Sequence, residues 1–361
     1  MAPTVTNSLE SFAAGAETAV DVAQIERQLA ELWQLAAESD TAAVTRACLF
    51  NLVAICDTEA ARDRATETIR IVTSRHPCRA IVLLAQPAAT TDELAASITA
   101  HCHLAGGGGK QVCCEQISIH ATGRSVSQLA GAVLPLLESD LPTINWWLGD
   151  FLETPLLFRR LCGVADRVFF DTSTWPAAPA RLVQLAAAMN EQRQCVFCDL
   201  SWTRLEFWRR MTAEMFDPPE CAAEVSRLQS AEIIYGDGPG AQLRARLYGG
   251  WLATQLGWSA SDAVARLTFA QREEPDTSGC GITMVTIRSA AAQFIVRKNY
   301  GEQVASTVVH MPDACGLPRK RAFWPTDDAA LLSQELDAMR RDSLYARVLA
   351  LTVELTAAAR S

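Results

Sequence analysis

The sequence has no apolar run long enough to cross a bilayer. Its longest runs, residues 80–85 and 129–137, are far shorter than the ~20 residues that a membrane helix needs. The sequence also begins MAPTVTNSLESFAAG, which lacks the basic start and apolar stretch of a secretory leader. We therefore expect a cytosolic protein with no membrane partner.

Positive charge is in short supply. The chain has 32 Lys and Arg against 41 Asp and Glu, a net charge of −9. Proteins that bind nucleic acids non-specifically or dock on anionic membranes need a basic face. The composition therefore argues against both classes.

Histidine is scarce, with five residues against twelve cysteines. The candidate metal ligands crowd one stretch: His101, Cys102, His103, Cys113 and Cys114. Structural zinc sites usually space each ligand pair by two to four residues, and neither HCH nor CC does so. The sequence favours buried or loop residues here over a zinc site, which stays the alternative, and we predict no bound metal.

Most cysteines are predicted to be small buried residues, because the cytosol keeps thiols reduced. Cys195 and Cys198 have the CxxC spacing of redox enzymes. They fall inside an apolar run rather than at the start of a helix, where a reactive thiol is expected. Packing is therefore favoured for this pair, with a redox role as the alternative.

Catalytic motifs are missing from the sequence. It contains no GxSxG, no HExxH and no GxGxxG after a strand. The glycine run at 105–111 lacks two residues of a phosphate loop, and it follows a predicted helix instead of a strand. We predict that the protein is not an enzyme and needs no cofactor.

The 361 residues, 49% of them hydrophobic, suffice for two domains with proper cores. Helical spacing over 21–38 predicts a helix within an N-terminal segment, 1–40. Short apolar runs then alternate with amphipathic stretches, which predicts a mainly parallel sheet with flanking helices, an α/β domain over 41–215. The predicted strands are 48–55, 80–85, 112–119, 144–148, 167–170 and 195–200, and the predicted helices are 59–72, 91–101, 125–138 and 181–191.

The remaining residues, 216–361, follow a different pattern. Three β runs at 281–288, 293–298 and 303–310 are separated by only a few turn residues, which predicts an antiparallel three-stranded meander. Helical patterns precede and follow the meander, so we predict a smaller α+β domain. The predicted helices are 220–228, 240–256, 327–339 and 343–355.

Three groups of tryptophans have charged residues as close neighbours in the sequence. The residues in these groups are Trp146 and Trp147, then Asp199, Trp202, Arg204, Trp208 and Arg209, and finally Trp324. Aromatic residues and arginine dominate protein–protein hot spots. An interaction surface and simple core packing are about equally favoured for these groups.

Several separated motifs occur in order along the sequence: SRHPCRAIVL, CCEQI, DLPTINWW, ADRVFFD, DLSWTRLEFWR and RLYGGWLATQLGW. Together they resemble the OpcA family, the glucose-6-phosphate dehydrogenase assembly proteins. The resemblance implies a non-catalytic protein that binds glucose-6-phosphate dehydrogenase, favours its active oligomer and supports the oxidative pentose phosphate pathway. It also implies redox control by thioredoxin, for which Cys280 and Cys315 are the loop candidates.

A second interpretation starts from the arginines near predicted strand ends: Arg75, Arg79, Arg204 and Arg209. Open α/β sheets place ligands at such ends, and arginine binds phosphate well. The alternative function is therefore an α/β enzyme or sensor that binds a phosphorylated metabolite.

Overall fold

The computed structural model describes residues 17–38, 44–104, 111–175, 178–272, 281–299, 303–312, 314–315, 318–323, 326–338 and 342–358. Within them, one compact unit holds 17–170, 192–197 and 328–338, and a second holds 171–191, 198–327 and 342–358. The domain boundaries predicted from the sequence, at residues 40 and 215, stay a prediction.

The first sheet has nine strands among the described residues. They are β1 (Thr18–Val20), β2 (Val44–Arg46), β3 (Asn51–Cys56), β4 (Arg79–Gln86), β5 (Glu93–Leu104), β6 (Gln111–Thr122), β7 (Thr143–Trp147), β8 (Arg167–Phe170) and β9 (Val196–Asp199). Their order is β1-β5-β6-β4-β3-β7-β8-β9, with β2 beside β6. The central pairs are parallel, so the predicted α/β class is confirmed.

The second sheet has seven strands in the described part of the chain. They are β10 (Ser230–Tyr235), β11 (Leu267–Gln271), β12 (Ile282–Arg288), β13 (Gln293–Asn299), β14 (Val304–Met311), β15 (Ala314–Cys315) and β16 (Arg319–Ala322). The antiparallel meander β12–β13–β14 is confirmed, and β10, which sequence reasoning missed, extends it on one side. The sheet is larger than predicted because β11, β15 and β16 also join it.

Helices cover these sheets. They are α1 (Ile25–Glu38), α2 (Glu59–Val72), α3 (Leu129–Val133), α4 (Pro155–Cys162), α5 (Ala178–Glu191), α6 (Leu200–Arg204), α7 (Glu206–Ala213), α8 (Pro219–Ala222), α9 (Ala241–Leu256), α10 (Ala260–Arg266), α11 (Asp328–Ala338) and α12 (Ser343–Ala358). None of the described helices combines the length and apolar character that a bilayer crossing requires.

Three helix predictions were wrong. Residues 91–101 form most of β5, because Leu94, Ala96, Ile98 and Ala100 also alternate with period two and β6 supplies an antiparallel partner. The predicted helix 125–138 is α only over α3 and continues as 3₁₀ turns, one of them at Pro135, which has no N–H to donate. The predicted helix 220–228 is limited to the short α8 and a 3₁₀ turn.

Candidate functional site

Two aspartates stand at the carboxyl ends of β8 and β9, and both belong to the second unit. Asp171 directly follows β8, and Asp199 is the last residue of β9. Each begins a new turn by N-capping it: Asp171 accepts from Ser173 N, and Asp199 accepts from Ser201 N. Because β8 and β9 are neighbours in the sheet, the two carboxylates come close together.

Asp199 is 1% exposed and accepts four hydrogen bonds. Its Oδ1 accepts from the backbone N–H of Thr172 (3.1 Å) and of Ser201 (2.9 Å). Its Oδ2 accepts from the Thr172 hydroxyl (2.7 Å) and from the hydroxyl of Tyr345, on α12 (2.9 Å). Burial and then the nearby charge of Asp171 raise the pKa of Asp199 to about 6, although the bonds from Thr172 and Tyr345 act in the opposite direction.

The pKa of Asp171 shifts in the opposite direction to that of Asp199. Its Oδ1 accepts from the hydroxyls of Ser173 (2.5 Å) and Ser201 (2.6 Å), and its Oδ2 pairs with the Arg204 guanidinium. Burial alone would raise the pKa of Asp171, but the Arg204 charge and the serine hydrogen bonds outweigh it and lower the pKa. Asp171 therefore ionises at a lower pH than Asp199 does, and Arg204 balances its charge.

Trp202 links this network to the start of α12. Its indole N–H donates to Asp342 Oδ2 (2.7 Å), while Asp342 Oδ1 accepts from the N–H groups of Leu344 and Tyr345. The Arg209 guanidinium lies 3.4 Å from the centre of a Trp202 ring, a cation–π stack. These contacts fix the N-terminus of α12 beside the two aspartates.

A tight backbone approach packs the same loop. Gly240, just before α9, has φ of +69°, and a Cβ there would lie 2.2 Å from Ser173 Cβ. Only glycine tolerates both the positive φ and the close approach of Ser173 at this position. The loop that carries Thr172 and Ser173 is therefore held from two sides, by α9 and by the capped end of β8.

Every carboxylate oxygen of Asp171 and Asp199 already accepts a hydrogen bond from a protein group. A general base or nucleophile needs a lone pair directed at a substrate. The geometry therefore makes the cluster a buried, pH-responsive link between two strand ends and α12. Sequence reasoning found Asp199, Trp202, Arg204 and Arg209 but missed Asp171 and Tyr345. An aspartate directly after each buried strand, in VFFD and VFCD, was the available signal for Asp171.

The tryptophans of the predicted partner surface lie in the interior. Trp146, Trp147, Trp202 and Trp208 are 2–4% exposed, and Trp324 lies outside the described residues. Their indoles are core side chains in this chain, so a partner would meet them only through the groups that cover them. The partner-binding role of the whole set stays a prediction.

Trp147 belongs to an aromatic cluster of the first unit. Its ring meets Phe151 and Phe158 edge-on, with centroids 6.1 and 5.8 Å apart. Phe151 and Phe158 stack at 4.2 Å. Such pairs stabilise a core by about 0.5–1.5 kcal/mol each beyond the area they bury.

The arginines of the alternative function each have a partner within the chain. Arg75 pairs with Asp337 at 2.8 Å, and Arg79 pairs with Glu115 at 2.5 Å, whereas Arg204 pairs with Asp171. Arg209 stacks on Trp202. A phosphate would have to displace these partners, so the arrangement does not favour the alternative.

Arg79 and Glu115 form the centre of a second buried charge network, in the first unit. The N-terminal helix α1 reaches both residues: Glu26 pairs with Arg79 at 2.6 Å, and the Trp33 indole donates to Glu115 at 2.7 Å. Further ion pairs connect Arg46 with Glu115 and Glu138, and Arg79 with Glu138.

Among the cysteines whose side chains the structure describes, two form a disulfide and all the others except the half-buried Cys48 are buried thiols. Cys102 and Cys113 are cross-strand partners in β5 and β6 and form a disulfide, which corrects the expectation that this stretch holds only packing or loop residues. Cys195 and Cys198 are buried thiols outside the disulfide, and the Cys195 thiol donates to the carbonyls of Cys162 (3.0 Å) and Ala165 (3.1 Å). Cys280 lies outside the described residues, as does the side chain of Cys315 in β15.

The other candidate zinc ligands point to different partners. His101 Nε2 lies 2.9 Å from Gln116 Oε1, and His103 Nε2 lies 3.3 Å from the Thr73 hydroxyl. The Cys114 thiol lies 3.7 Å from Ala47 O. Within the described ranges, no group of three or more His, Cys, Asp or Glu side chains is arranged to hold a metal ion.

Comparison with known families covers both units. Residues 70–187 match the family described as the glucose-6-phosphate dehydrogenase subunit N-terminal domain, and residues 195–349 match the corresponding C-terminal domain. Both of these families are domains of OpcA proteins. This chain belongs to the OpcA family.

Curated relatives in the OpcA family agree with this assignment. The chain is 33% identical over 190 residues to the "Putative OxPP cycle protein OpcA" of Synechocystis sp. (strain ATCC 27184 / PCC 6803 / Kazusa), a match covering 52% of this chain and 39% of that protein. It is 25% identical over 310 residues to the protein of the same name from Nostoc punctiforme, covering 78% and 65%. The matches thus span about 40–65% of the length of these relatives.

Among solved structures, the chain is similar to the aldose-aldose oxidoreductase of Caulobacter crescentus, with a TM-score of 0.44 and 10% identity over 86% of this chain and 97% of that one. Levoglucosan dehydrogenase in complex with NADH and L-sorbose gives a TM-score of 0.40 and 9% identity, over 87% and 90%. At these scores the likeness supports no statement about the activity of the OpcA-family chain.

Proposed function

We propose that this chain is a non-catalytic assembly factor for glucose-6-phosphate dehydrogenase. It binds the dehydrogenase, favours its active oligomer and so supports the oxidative pentose phosphate pathway in the cytosol. The observation that carries the proposal is the match of both halves of the chain to families described as domains of a glucose-6-phosphate dehydrogenase subunit. The saturated Asp171–Asp199 network supports the non-catalytic part, since its oxygens are occupied by protein donors.

The mechanism of activation is thermodynamic linkage. A protein that binds the active oligomer more tightly than the inactive one shifts the population by the difference between the two affinities. A tenfold preference corresponds to about 1.4 kcal/mol of coupling. The expected effect is a larger active fraction of the dehydrogenase at a given concentration, together with a change in its apparent substrate affinity.

The test uses the purified full chain and the dehydrogenase of the same organism. Mass photometry of the mixture should show a complex heavier than the dehydrogenase alone, and initial rates should change as the chain is titrated. The chain alone, with glucose 6-phosphate and a nicotinamide cofactor, should show no turnover. Unchanged masses together with unchanged kinetics would refute the assembly role, and turnover by the chain alone would refute its non-catalytic character.

Redox control by thioredoxin is a separate prediction. It rests on Cys280 and Cys315 and on the resemblance to the family. Mass spectrometry after mild oxidation should find a peptide that joins these two cysteines, and thioredoxin should release it. If no such peptide forms, this pair is not a switch.

A further inference from the structure

The meander of the second unit is the basic part of an acidic chain. Residues 281–323 contain six Lys or Arg and two acids, Glu302 and Asp313, whereas the whole chain has a net charge of −9. Arg288 pairs with Glu232 and Arg321 pairs with Glu214, two acids outside the segment, and the segment itself is still net positive. A local charge opposite to that of the whole protein marks a surface with its own partner preference.

One face of the second sheet packs against the core of its unit. Helix α9 lies on this face, since a Cβ at Gly249 would touch Phe269 (2.7 Å) and Ile233 (3.3 Å). The ring of Phe216, which follows α7, lies 4.5 Å from that of Phe294 on the same face. Because side chains alternate along a strand, the residues next to Phe294 in β13 point to the opposite face.

We name this opposite surface the open sheet face and define it by three cross-strand rows. In register, the rows are Met284–Arg297–Ser306–Lys320, Thr286–Ile295–Val308 and Arg288–Gln293–His310. Neighbours within a row have Cβ atoms about 4.5–5.5 Å apart. The middle row is the most apolar, and Ile295 and Val308 in it are half-buried. Arg297 and Lys320 stand on one side of it, and Arg288, which pairs with Glu232 of β10 at 3.3 Å, stands on the other. An apolar centre with a polar rim is the usual anatomy of a protein–protein interface.

The row that holds Arg297 and Lys320 contains an unsatisfied group. Both cations are exposed, and Ser306 lies between them in the register. The Ser306 hydroxyl is buried and has no hydrogen-bond partner among the described residues. A carboxylate of a partner, placed over the two exposed cations, would accept charge-assisted hydrogen bonds from them.

We propose that the open sheet face binds an acidic, apolar-centred surface of the dehydrogenase, with carboxylates over the Arg297–Ser306–Lys320 row. This inference rests on the proposed assembly function. A second copy of the chain is the other candidate occupant, and an acidic partner is favoured over it because Arg297 and Lys320 would meet opposite charges there. A nucleic acid fits less well too, because the centre of the face is apolar and the chain as a whole is acidic.

The test compares two charge reversals of equal size in the full chain. The face variant carries Arg297→Glu and Lys320→Glu. The control carries Arg159→Glu and Arg160→Glu, two exposed arginines on α4 in the first unit. Thermal unfolding first establishes that both variants are folded. Affinity for the dehydrogenase is then measured by biolayer interferometry at two salt concentrations, since charge pairs at a rim weaken as salt rises.

We expect the face variant to bind the dehydrogenase at least tenfold more weakly than the unmodified chain does, and the control to stay within about twofold. Raising the salt concentration should reduce the affinity of the unmodified chain more than that of the face variant. If the unmodified chain binds and the face variant binds equally well, or the control loses as much, the open sheet face is not the contact and the assembly function still stands. If the unmodified chain does not bind at all, the assembly function itself fails and this proposal fails with it.

Two further measurements test whether a second copy of the chain or a nucleic acid binds the open sheet face instead. Sedimentation of the chain alone that showed a dimer, lost in the face variant, would assign the face to a second copy and overturn the proposal. Binding of a single-stranded oligonucleotide that the face variant lost would overturn it in favour of a nucleic acid. We expect a monomer whose sedimentation the reversal leaves unchanged, and no oligonucleotide binding.

Discussion

The hydroxyl of Tyr345 donates a 2.9 Å hydrogen bond to Oδ2 of Asp199, which lies 146 positions earlier in the sequence. This bond ties the last helix of the chain to the end of β9. The bond also affects the titration of Asp199, since a hydrogen bond donated to a carboxylate favours its charged form while burial disfavours that form.

The stability of the protein should depend on pH through Asp199. Its folded pKa of about 6 lies above the ordinary value of ~3.9, so the native state holds this proton more tightly than the unfolded chain does. The Asp199 contribution therefore stabilises the fold as the pH falls from above 6 to about 4, by up to about 3 kcal/mol, and is then constant. Asp171 acts in the opposite sense and at lower pH, because its pKa is lowered.

Asp199→Asn should remove that pH dependence. An amide keeps an oxygen for the two backbone N–H donors, and its NH₂ group can donate to the hydroxyls of Thr172 and Tyr345, whereas the protonated acid has one proton to donate to one of them. Urea unfolding at pH 4.5, 5.5, 6.5 and 7.5 measures the effect. A pH slope between 6 and 4 equal to that of the unmodified chain would assign the titration to another group.

Tyr345→Phe should destabilise the fold by about 1–3 kcal/mol at pH 7.5 and by less at pH 5. Removing this donor raises the pKa of Asp199 further, so the variant gains more stability on acidification than the unmodified chain does. Tyr248→Phe is the matched control, since Tyr248 is also buried and its hydroxyl bonds the neutral Thr212 at 2.5 Å. The control should cost about 0.5–1.5 kcal/mol, equally at both pH values. Equal pH profiles for the two variants would show that Tyr345 does not influence Asp199.

Arg204→Ala should cost about 3–5 kcal/mol at neutral pH, because it leaves the buried Asp171 charge without its cation. The cost should shrink as the pH falls, since protonating Asp171 then removes the unpaired charge. Arg210→Ala, which breaks an exposed pair with Glu206 two turns from this site, is the control and should cost under about 0.5 kcal/mol. Denaturant titrations of both variants at pH 5 and 7.5 make the comparison. A small cost for Arg204→Ala would mean that Asp171 is solvated rather than buried.

The disulfide between Cys102 and Cys113 should stabilise the β5–β6 pair. Closing a loop between residues 11 positions apart removes freedom from the unfolded chain and is worth about 2–4 kcal/mol. Replacing both cysteines by serine should lower the unfolding free energy by that amount without reductant. In reductant, the variant and the unmodified chain should unfold alike. A difference that persists in reductant would trace the effect to packing instead.

Local patterns predicted most of the fold because the central strands are short apolar runs with helical stretches between them. The pattern over 91–101 was ambiguous, since Leu94, Ile98 and His101 also fit a helical period, and only the pairing with β6 decides it. That one error concealed the disulfide as well. Had β5 and β6 been recognised as an antiparallel pair, Cys102 and Cys113 would have stood opposite each other.

The candidate site was predicted only where its residues are close in sequence. Asp199, Trp202, Arg204 and Arg209 come from one stretch, and the structure keeps them together. Their partners Asp171, Asp342 and Tyr345 lie in distant segments of the sequence, and no local pattern predicts such contacts. The burial of the tryptophans was equally hidden, because a buried and an exposed indole look alike in a sequence.

The network around Arg79 and Glu115 constrains how this family can vary. Arg79 and Glu115 are its two buried members, while Glu26, Arg46 and Glu138 are partly exposed, so replacing Arg79 or Glu115 alone by a neutral residue deprives the other buried charge of its buried partner. Neutral replacement of a whole acid–base pair avoids that cost. Across relatives, these positions should therefore change in concert, and a homologue that lacks an acid at the position of Glu115 should also lack the base at the position of Arg79.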